Sequence, residues 1–156
     1  MSYAILTTPI GNLCITCSPT GVTSIERMEL GQPVLAKPGT LAAKVEAQLI
    51  EYFAGQRTSF DLPLEPEGTA FQMAVWKELR RIPHGKTRSY ASVAKKVTCD
   101  SPRAIGTACG ANKLLILIPC HRVISKDGGL GGFSAGLENK EWLLEFEKAC
   151  VHSAPR

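Results

Sequence analysis

Apolar and polar residues alternate through Tyr3-Ala4-Ile5-Leu6, Leu13-Cys14-Ile15-Thr16-Cys17 and Val22-Thr23-Ser24-Ile25, the period of half-buried strands. Thr8-Pro9-Ile10-Gly11-Asn12 and Ser18-Pro19-Thr20-Gly21 punctuate them, which predicts short antiparallel strands of a small sheet. From Thr40, a capping residue type, the period lengthens. Leu41, Val45, Leu49, Tyr52 and Phe53 then share one face and predict a helix that stops at Gly55. Residues 56–68 carry Pro63, Pro66 and Gly68 without helical period, and 61–68 reads as a linker between lobes.

Thr69 followed by Gln72 is a capping-box pair, and Phe71, Val75, Trp76 and Leu79 make the stripe of the helix it opens. Ile82-Pro83-His84-Gly85 stops that helix. Ser89 opens a short helix through Ala91, Val93, Ala94 and Val97, and Ser101 caps another with Pro102 at its first position. The pair reads as a helix-turn-helix or as an ordinary helical hairpin. Its second helix is slim, with Ala104, Gly106, Thr107, Ala108, Gly110 and Ala111 all small, which suits a confined groove in DNA or close core packing equally. A final helix is predicted over 139–149 with Trp142, Leu143 and Phe146 inward. The fold class is therefore α+β: a small N-terminal antiparallel-sheet lobe with a helix over 1–60, then a mainly helical C-terminal lobe with the helix-turn-helix over 69–150, and a tail at 151–156.

With 156 residues, 44% of them hydrophobic, the chain needs neither disulfides nor a structural metal to hold a core. No apolar run approaches a membrane span, and the first residues lack a secretory pattern, so a cytoplasmic or nuclear location is expected. The net charge of +4 is unevenly spread: residues 1–68 carry −3, 69–126 carry +9 and 127–156 carry −2. The central block marks either a face for a polyanion or a solvated basic surface.

Six cysteines would suggest a disulfide framework in a secreted chain, but not in a reducing compartment. Cys14 and Cys17 form a C-x-x-C on an alternating strand, where residues three apart face opposite ways, and the first lobe has no histidine to complete a zinc site. Cys99, Cys109 and Cys150 read as small buried hydrophobes. Cys120 differs. The apolar run Leu114–Ile118 delivers it through Pro119, and His121 and Arg122 follow, supplying the base and the charge that a nucleophilic thiol needs. In an extended segment neighbouring side chains diverge, so a proton path from Cys120 to His121 runs through a water. A carboxylate from the last helix, with Glu141 the candidate, then orients the imidazole. The alternative is an inert Cys-His pair at a strand end.

Ile118-Pro119-Cys120-His121-Arg122-Val123 resembles the active-site signature of the O6-alkylguanine-DNA alkyltransferases. The likeness extends to Phe71-Gln72 through Trp76, Arg88-Ser89-Tyr90, Arg103-Ala104-Ile105-Gly106, Asn112, Phe133-Ser134-Ala135-Gly136 and Lys140-Glu141-Trp142-Leu143-Leu144. It implies single-turnover transfer of an alkyl group from O6 of guanine, and from O4 of thymine, to Cys120, with no cofactor and no metal. It also implies a ribonuclease-H-like N-terminal lobe and a monomer bound to double-stranded DNA through the minor groove. By the same resemblance, Arg103 enters the duplex in place of a flipped nucleotide, and Tyr90, Ser134 and the backbone near Val123 bind the guanine. Asn112 is a hinge to the active-site strand, and Ser89, Ala104, Gly106, Lys113 and Arg122 are expected at the DNA.

Two positions depart from the family pattern: Lys113 stands where many members have proline, and Ala135 where many have a second glycine, which narrows the expected pocket mouth. Three rivals stay open: an alkyltransferase-like binder, against which Cys120 argues, a Cys-His-Glu hydrolase, and a DNA-binding regulator without chemistry.

Overall fold

The computed structural model describes residues 1–125, 129, 131–133 and 135–150 and, without their side chains, 151–153. Alternation in the first segment resolves into three antiparallel strands in the order β1 (Ser2–Thr8), β2 (Gly11–Cys17) and β3 (Val22–Met28). Only Pro9 and Ile10 separate β1 from β2, and Gly11 closes the hairpin at φ +103°, where a Cβ would press on the Arg27 guanidinium. In β2, Leu13, Ile15 and Cys17 are buried on one face while Cys14 lies on the other, so the C-x-x-C is split by the pleat. Helix α1 (Leu41–Phe53) starts where Thr40 accepts from the Ala43 N–H, and it covers the sheet with Ala42, Val45, Leu49 and Tyr52.

The segment expected as a linker is bonded into this first unit. The Val22 N–H donates to Pro63 O at 2.8 Å and the Glu65 N–H to Val22 O at 2.9 Å, a parallel bridge on the outer edge of β3. An open strand edge presents backbone groups that need partners, and a proline-bearing segment can still supply carbonyls there. The first unit accordingly comprises Met1–Glu67 together with Lys113–Leu115, and the second Gly68–Asn112 and the chain from Ile116 onward.

In the second unit, α2 (Ala70–Leu79) opens with the expected reciprocal Thr69–Gln72 box, and the Trp76 indole donates to Ala108 O at 2.8 Å, tying α2 to α4. After β4 (Arg88–Ser89), α3 (Tyr90–Lys96) and α4 (Pro102–Gly110) form the helix-turn-helix, capped by Ser89 and Ser101. The apolar run 114–118 is not a strand. Lys113 O and the Leu115 N–H pair with Ile25 in the first unit, and Ile116, at φ +71°, begins the return to the second. Burial without alternation fits a strand or an irregular core segment equally, which is why the sequence pattern misleads here. A two-residue strand, β5 (Val123–Ile124), pairs in parallel with β4, and α5 (Leu137–Ser153) runs past the expected end of the last helix into the segment expected as a tail.

Candidate active site

Ile118 and Pro119 deliver Cys120 into a single 3-10 turn, Cys120–Arg122, rather than an extended strand end. The Arg122 N–H closes it on Pro119 O at 3.0 Å. The Cys120 thiol is buried and accepts a hydrogen bond from Asn112 Nδ2 at 3.2 Å; the same amide donates to Ile118 O at 2.9 Å. Asn112 thus joins the end of the helix-turn-helix to the segment carrying the thiol. Burial pushes the Cys120 thiol up from its ordinary value, while the Asn112 amide and the Lys140 charge pull the other way. Left alone, it is a neutral thiol that needs a base.

The next side chain in the turn is the His121 imidazole. Its Nε2 lies 2.8 Å from Glu147 Oε2, both side chains fully enclosed, and its Nδ1 is buried with no hydrogen-bond partner among the described residues. The carboxylate at the imidazole is therefore Glu147 and not Glu141, which is exposed on another face of α5. Lys140, Leu143 and Glu147 stand at i, i+3 and i+7 and are the enclosed positions of that helix among the described residues, and Glu141 is turned about 100° from Lys140. Trp142 and Phe146, which stack on each other at 4.9 Å and are only half-buried, suggested the wrong phase. Arg122 is also corrected. It is turned inward, with Nε and Nη2 each 2.9 Å from a Glu147 oxygen and Nη1 2.7 Å from Ile82 O, so its guanidinium is unavailable to DNA. Burial draws His121 below its ordinary value despite the Glu147 contact, which favours the neutral imidazole. Burial alone would raise the Glu147 carboxyl, but His121 and Arg122 outweigh it and hold that group well below the usual carboxylate range.

A third buried charge was not foreseen. Lys140 is wholly enclosed, and its Nζ donates to Val123 O at 2.6 Å, to Gly132 O at 3.1 Å and to the Tyr90 hydroxyl at 3.5 Å. The Val123 carbonyl expected to meet a base already accepts this ammonium. Tyr90 is half-buried, and burial raises its phenol, which stays a donor. Gly131, at φ +71°, leaves room for it, since a Cβ there would lie 2.4 Å from the Tyr90 hydroxyl. Cys109, on α4, is pushed up to about 12, first by burial and then by the neighbouring Cys120, and so is no competing nucleophile. Ser134 lies outside the described residues.

A profile described as "6-O-methylguanine DNA methyltransferase, DNA binding domain" matches residues 70–149, and one described as its "ribonuclease-like domain" matches 1–66. The chain belongs to the 6-O-methylguanine DNA methyltransferase family. It is 40% identical over 157 residues to a methylated-DNA–protein-cysteine methyltransferase of Methanosarcina acetivorans, covering 96% of this chain and 100% of that one. It is 39% identical over 153 residues to the Mycobacterium tuberculosis protein of the same name, covering 94% and 92%. Among solved structures, the M. tuberculosis O6-methylguanine methyltransferase superposes with a TM-score of 0.86 at 37% identity, covering 99% of this chain and 96% of that one. M. tuberculosis OGT in complex with DNA gives 0.86 at 38%, covering 95% and 93%. The sheet lobe with its helix and the helical lobe are those of the methyltransferase family.

On the helix-turn-helix of this methyltransferase, Arg103 is exposed near the start of α4 with Ala104 and Gly106 half-buried beside it, and Gly106 faces Tyr90. Ser89 spends its hydroxyl on the Ser92 N–H as the cap of α3, so only its remaining capacity is open to a partner. Lys113 is exposed and belongs to the first unit. Ala135 is 7% exposed, and its carbonyl accepts from Asn139 Nδ2 at 2.6 Å. Sequence reasoning missed Glu147 and the placement of Lys140; the i, i+3, i+7 spacing with Leu143 was the available signal.

Proposed function

We infer that the protein repairs alkylated DNA by direct reversal, moving the alkyl group from O6 of guanine onto Sγ of Cys120. The observation that carries this reading is an enclosed thiol, held by Asn112, followed directly by a histidine whose far nitrogen is fixed by Glu147. Nε2 donates to that carboxylate, which leaves Nδ1 as the acceptor. His121 takes the thiol proton at Nδ1 through a water. The thiolate attacks the alkyl carbon, a C–S bond forms, the C–O6 bond breaks, and its electron pair leaves with the guanine. The Tyr90 hydroxyl, a protonated donor backed by the Lys140 ammonium, meets the charge that develops on the base. A thioether is not cleaved by thiols, so each molecule acts once.

To reach O6 the base is turned out of the duplex, at a cost of about a few kcal/mol. Arg103 fills the space it vacates, and the small residues of α4 allow a close approach through the minor groove. O4 of thymine presents the same alkyl-oxygen chemistry. The protein acts as a monomer on double-stranded DNA, and the basic central block binds phosphates, so affinity falls with salt. Among the described residues no helix is long and apolar enough to cross a membrane.

Intact-mass measurement after mixing with duplex DNA carrying O6-methylguanine tests the reading. One methyl-derived mass increment on Cys120, stoichiometric and absent in Cys120→Ser, is expected. An unmodified wild-type protein, or repeated turnover, would overturn it.

A further inference from the structure

Glu147 holds more than an orienting carboxylate requires. Its Oε2 accepts from His121 Nε2 and from Arg122 Nη2, its Oε1 accepts from Arg122 Nε, and Arg122 Nη1 is anchored on Ile82 O. A carboxylate beside an imidazole has two effects. It fixes the ring, and it draws a second proton onto the ring by making the imidazolium pair favourable. The second effect works against proton transfer, because an imidazolium carries hydrogen on both nitrogens and has no lone pair left for a thiol proton.

We propose that Arg122 is a positioning residue that separates these effects: by taking both oxygens of Glu147 in its fork, it lets the carboxylate orient His121 without charging it. Nδ1 then keeps its lone pair for the Cys120 proton. The role rests on the alkyl-transfer reading for its purpose, and on the buried network alone for its physics. The fork geometry suits arginine and not lysine, whose single ammonium cannot hold two carboxylate oxygens side by side.

All the charged and titratable groups around the ring fit this balance. From α5, Glu147 favours the imidazolium and Lys140 opposes it; Arg122, next in the turn, opposes it. His84, in the segment after α2, is itself drawn toward its neutral form by burial. Cys120 is a neutral thiol until it gives up its proton, and Phe133 approaches the ring edge-on at 6.4 Å, adding an apolar neighbour. Burial is the largest influence and keeps the ring toward its neutral form, and removing the Arg122 charge takes away one of the two charges that offset Glu147, so the balance moves toward the imidazolium.

The test titrates His121 in the full-length protein without DNA, following the imidazole carbon signals by NMR and assigning His121 by its loss in His121→Gln. In the wild type the midpoint lies below the ordinary 6.5. Arg122→Gln raises it by about one pH unit or more, and Arg122→Gln with Glu147→Gln brings it back down, because the carboxylate that draws the proton is gone. The rate of Cys120 alkylation by iodoacetamide follows: at pH 6.5 Arg122→Gln is slower by about tenfold, and the double variant recovers. A merely structural Arg122 would lower the rate at every pH with no rescue. A wild-type midpoint at or above 6.5, an unchanged midpoint in Arg122→Gln, or a double variant that does not fall back would each overturn the proposal. If Arg122→Gln fails to fold, Arg122→Lys takes its place: it keeps a charge but not the fork, so its midpoint should rise in the same direction, and an unchanged midpoint would overturn the proposal. Neither readout uses DNA, so a protein that passes both yet takes no methyl group from DNA refutes the repair reading alone.

Discussion

The two units bury polarity in different ways. Among the described residues, the first encloses one polar side chain, Gln48, whose amide exchanges two hydrogen bonds with the Asp61 backbone at 3.0 and 3.2 Å. The second encloses Asn112, His121, Arg122, Lys140 and Glu147, four of them ionisable. Burying charge is costly unless it is paired and hydrogen-bonded, and hydrophobic residues of like volume often stabilise a fold as well or better. Charge of this kind is thus a poor way to hold a domain together, and its concentration around one thiol in one unit marks where the molecule has chemistry to do. The first unit is held by an apolar sheet–helix core; the second accepts a costlier interior, in which burial favours a neutral His121 imidazole next in sequence to the Cys120 thiol.

Glu147→Ala would strike this contrast hardest. It strands the Arg122 and His121 side chains in an enclosed site, with an expected loss of about 3–5 kcal/mol in denaturant unfolding, and it abolishes transfer. Glu141→Ala, one and two-thirds turns earlier on the same helix and exposed, should stay within about 0.5 kcal/mol of wild type with transfer intact. Equal losses in the two variants would put the buried carboxylate in the wrong place.

Acid should separate the units next. His121 and His84 are both drawn below their ordinary 6.5 by burial, so the unfolded chain takes up protons that the folded chain refuses. Stability is then full above pH 6.5 and declines as the pH drops below it. Glu147 adds a later loss. Its contribution is present above 4.5 and disappears as the pH falls through its much lower folded value. The first unit has no histidine, so hydrogen-exchange protection, taken relative to the intrinsic rate at each pH, should fall between pH 7 and 5 in the second unit and not in the first. A uniform fall in protection would show that neutral burial of these rings is not what distinguishes the second unit.

The same contrast explains what could be read from sequence. Caps and periods are local, and Thr40, Thr69 with Gln72, Ser89 and Ser101 all open helices where their spacing predicts. The strands of the first unit follow from alternation because one face of each is buried. Cys120 and its neighbours stood out because a thiol, an imidazole and a guanidinium in a row after an apolar run have few structural explanations. What stayed hidden depends on distant partners. A lysine on a helix reads as solvated, and nothing near Lys140 announces the two carbonyls that pay for its burial. Arg122 reads as a residue at the DNA because its partner lies 25 residues on. Residues 61–68 read as a linker because the partner of Pro63 and Glu65 is the edge of β3, an edge that only the assembled sheet presents.

Gln48 offers the mildest test. Replacing it with alanine removes two hydrogen bonds to Asp61, whose own backbone lies beside an exposed side chain where water can substitute, so the cost should be about 1 kcal/mol in unfolding. Transfer measured by intact mass should be unchanged, because nothing in the first unit supplies a reacting atom. The amide acts as a local strap that keeps the chain after α1 along the sheet, and Val22 and Glu65 hold the same segment from the other side. A loss several times larger would mean that this strap is cooperative with the core rather than local. A loss of transfer at preserved stability would be more telling, since it would make polarity buried in the first unit part of the site's machinery and erase the division of labour between the two interiors.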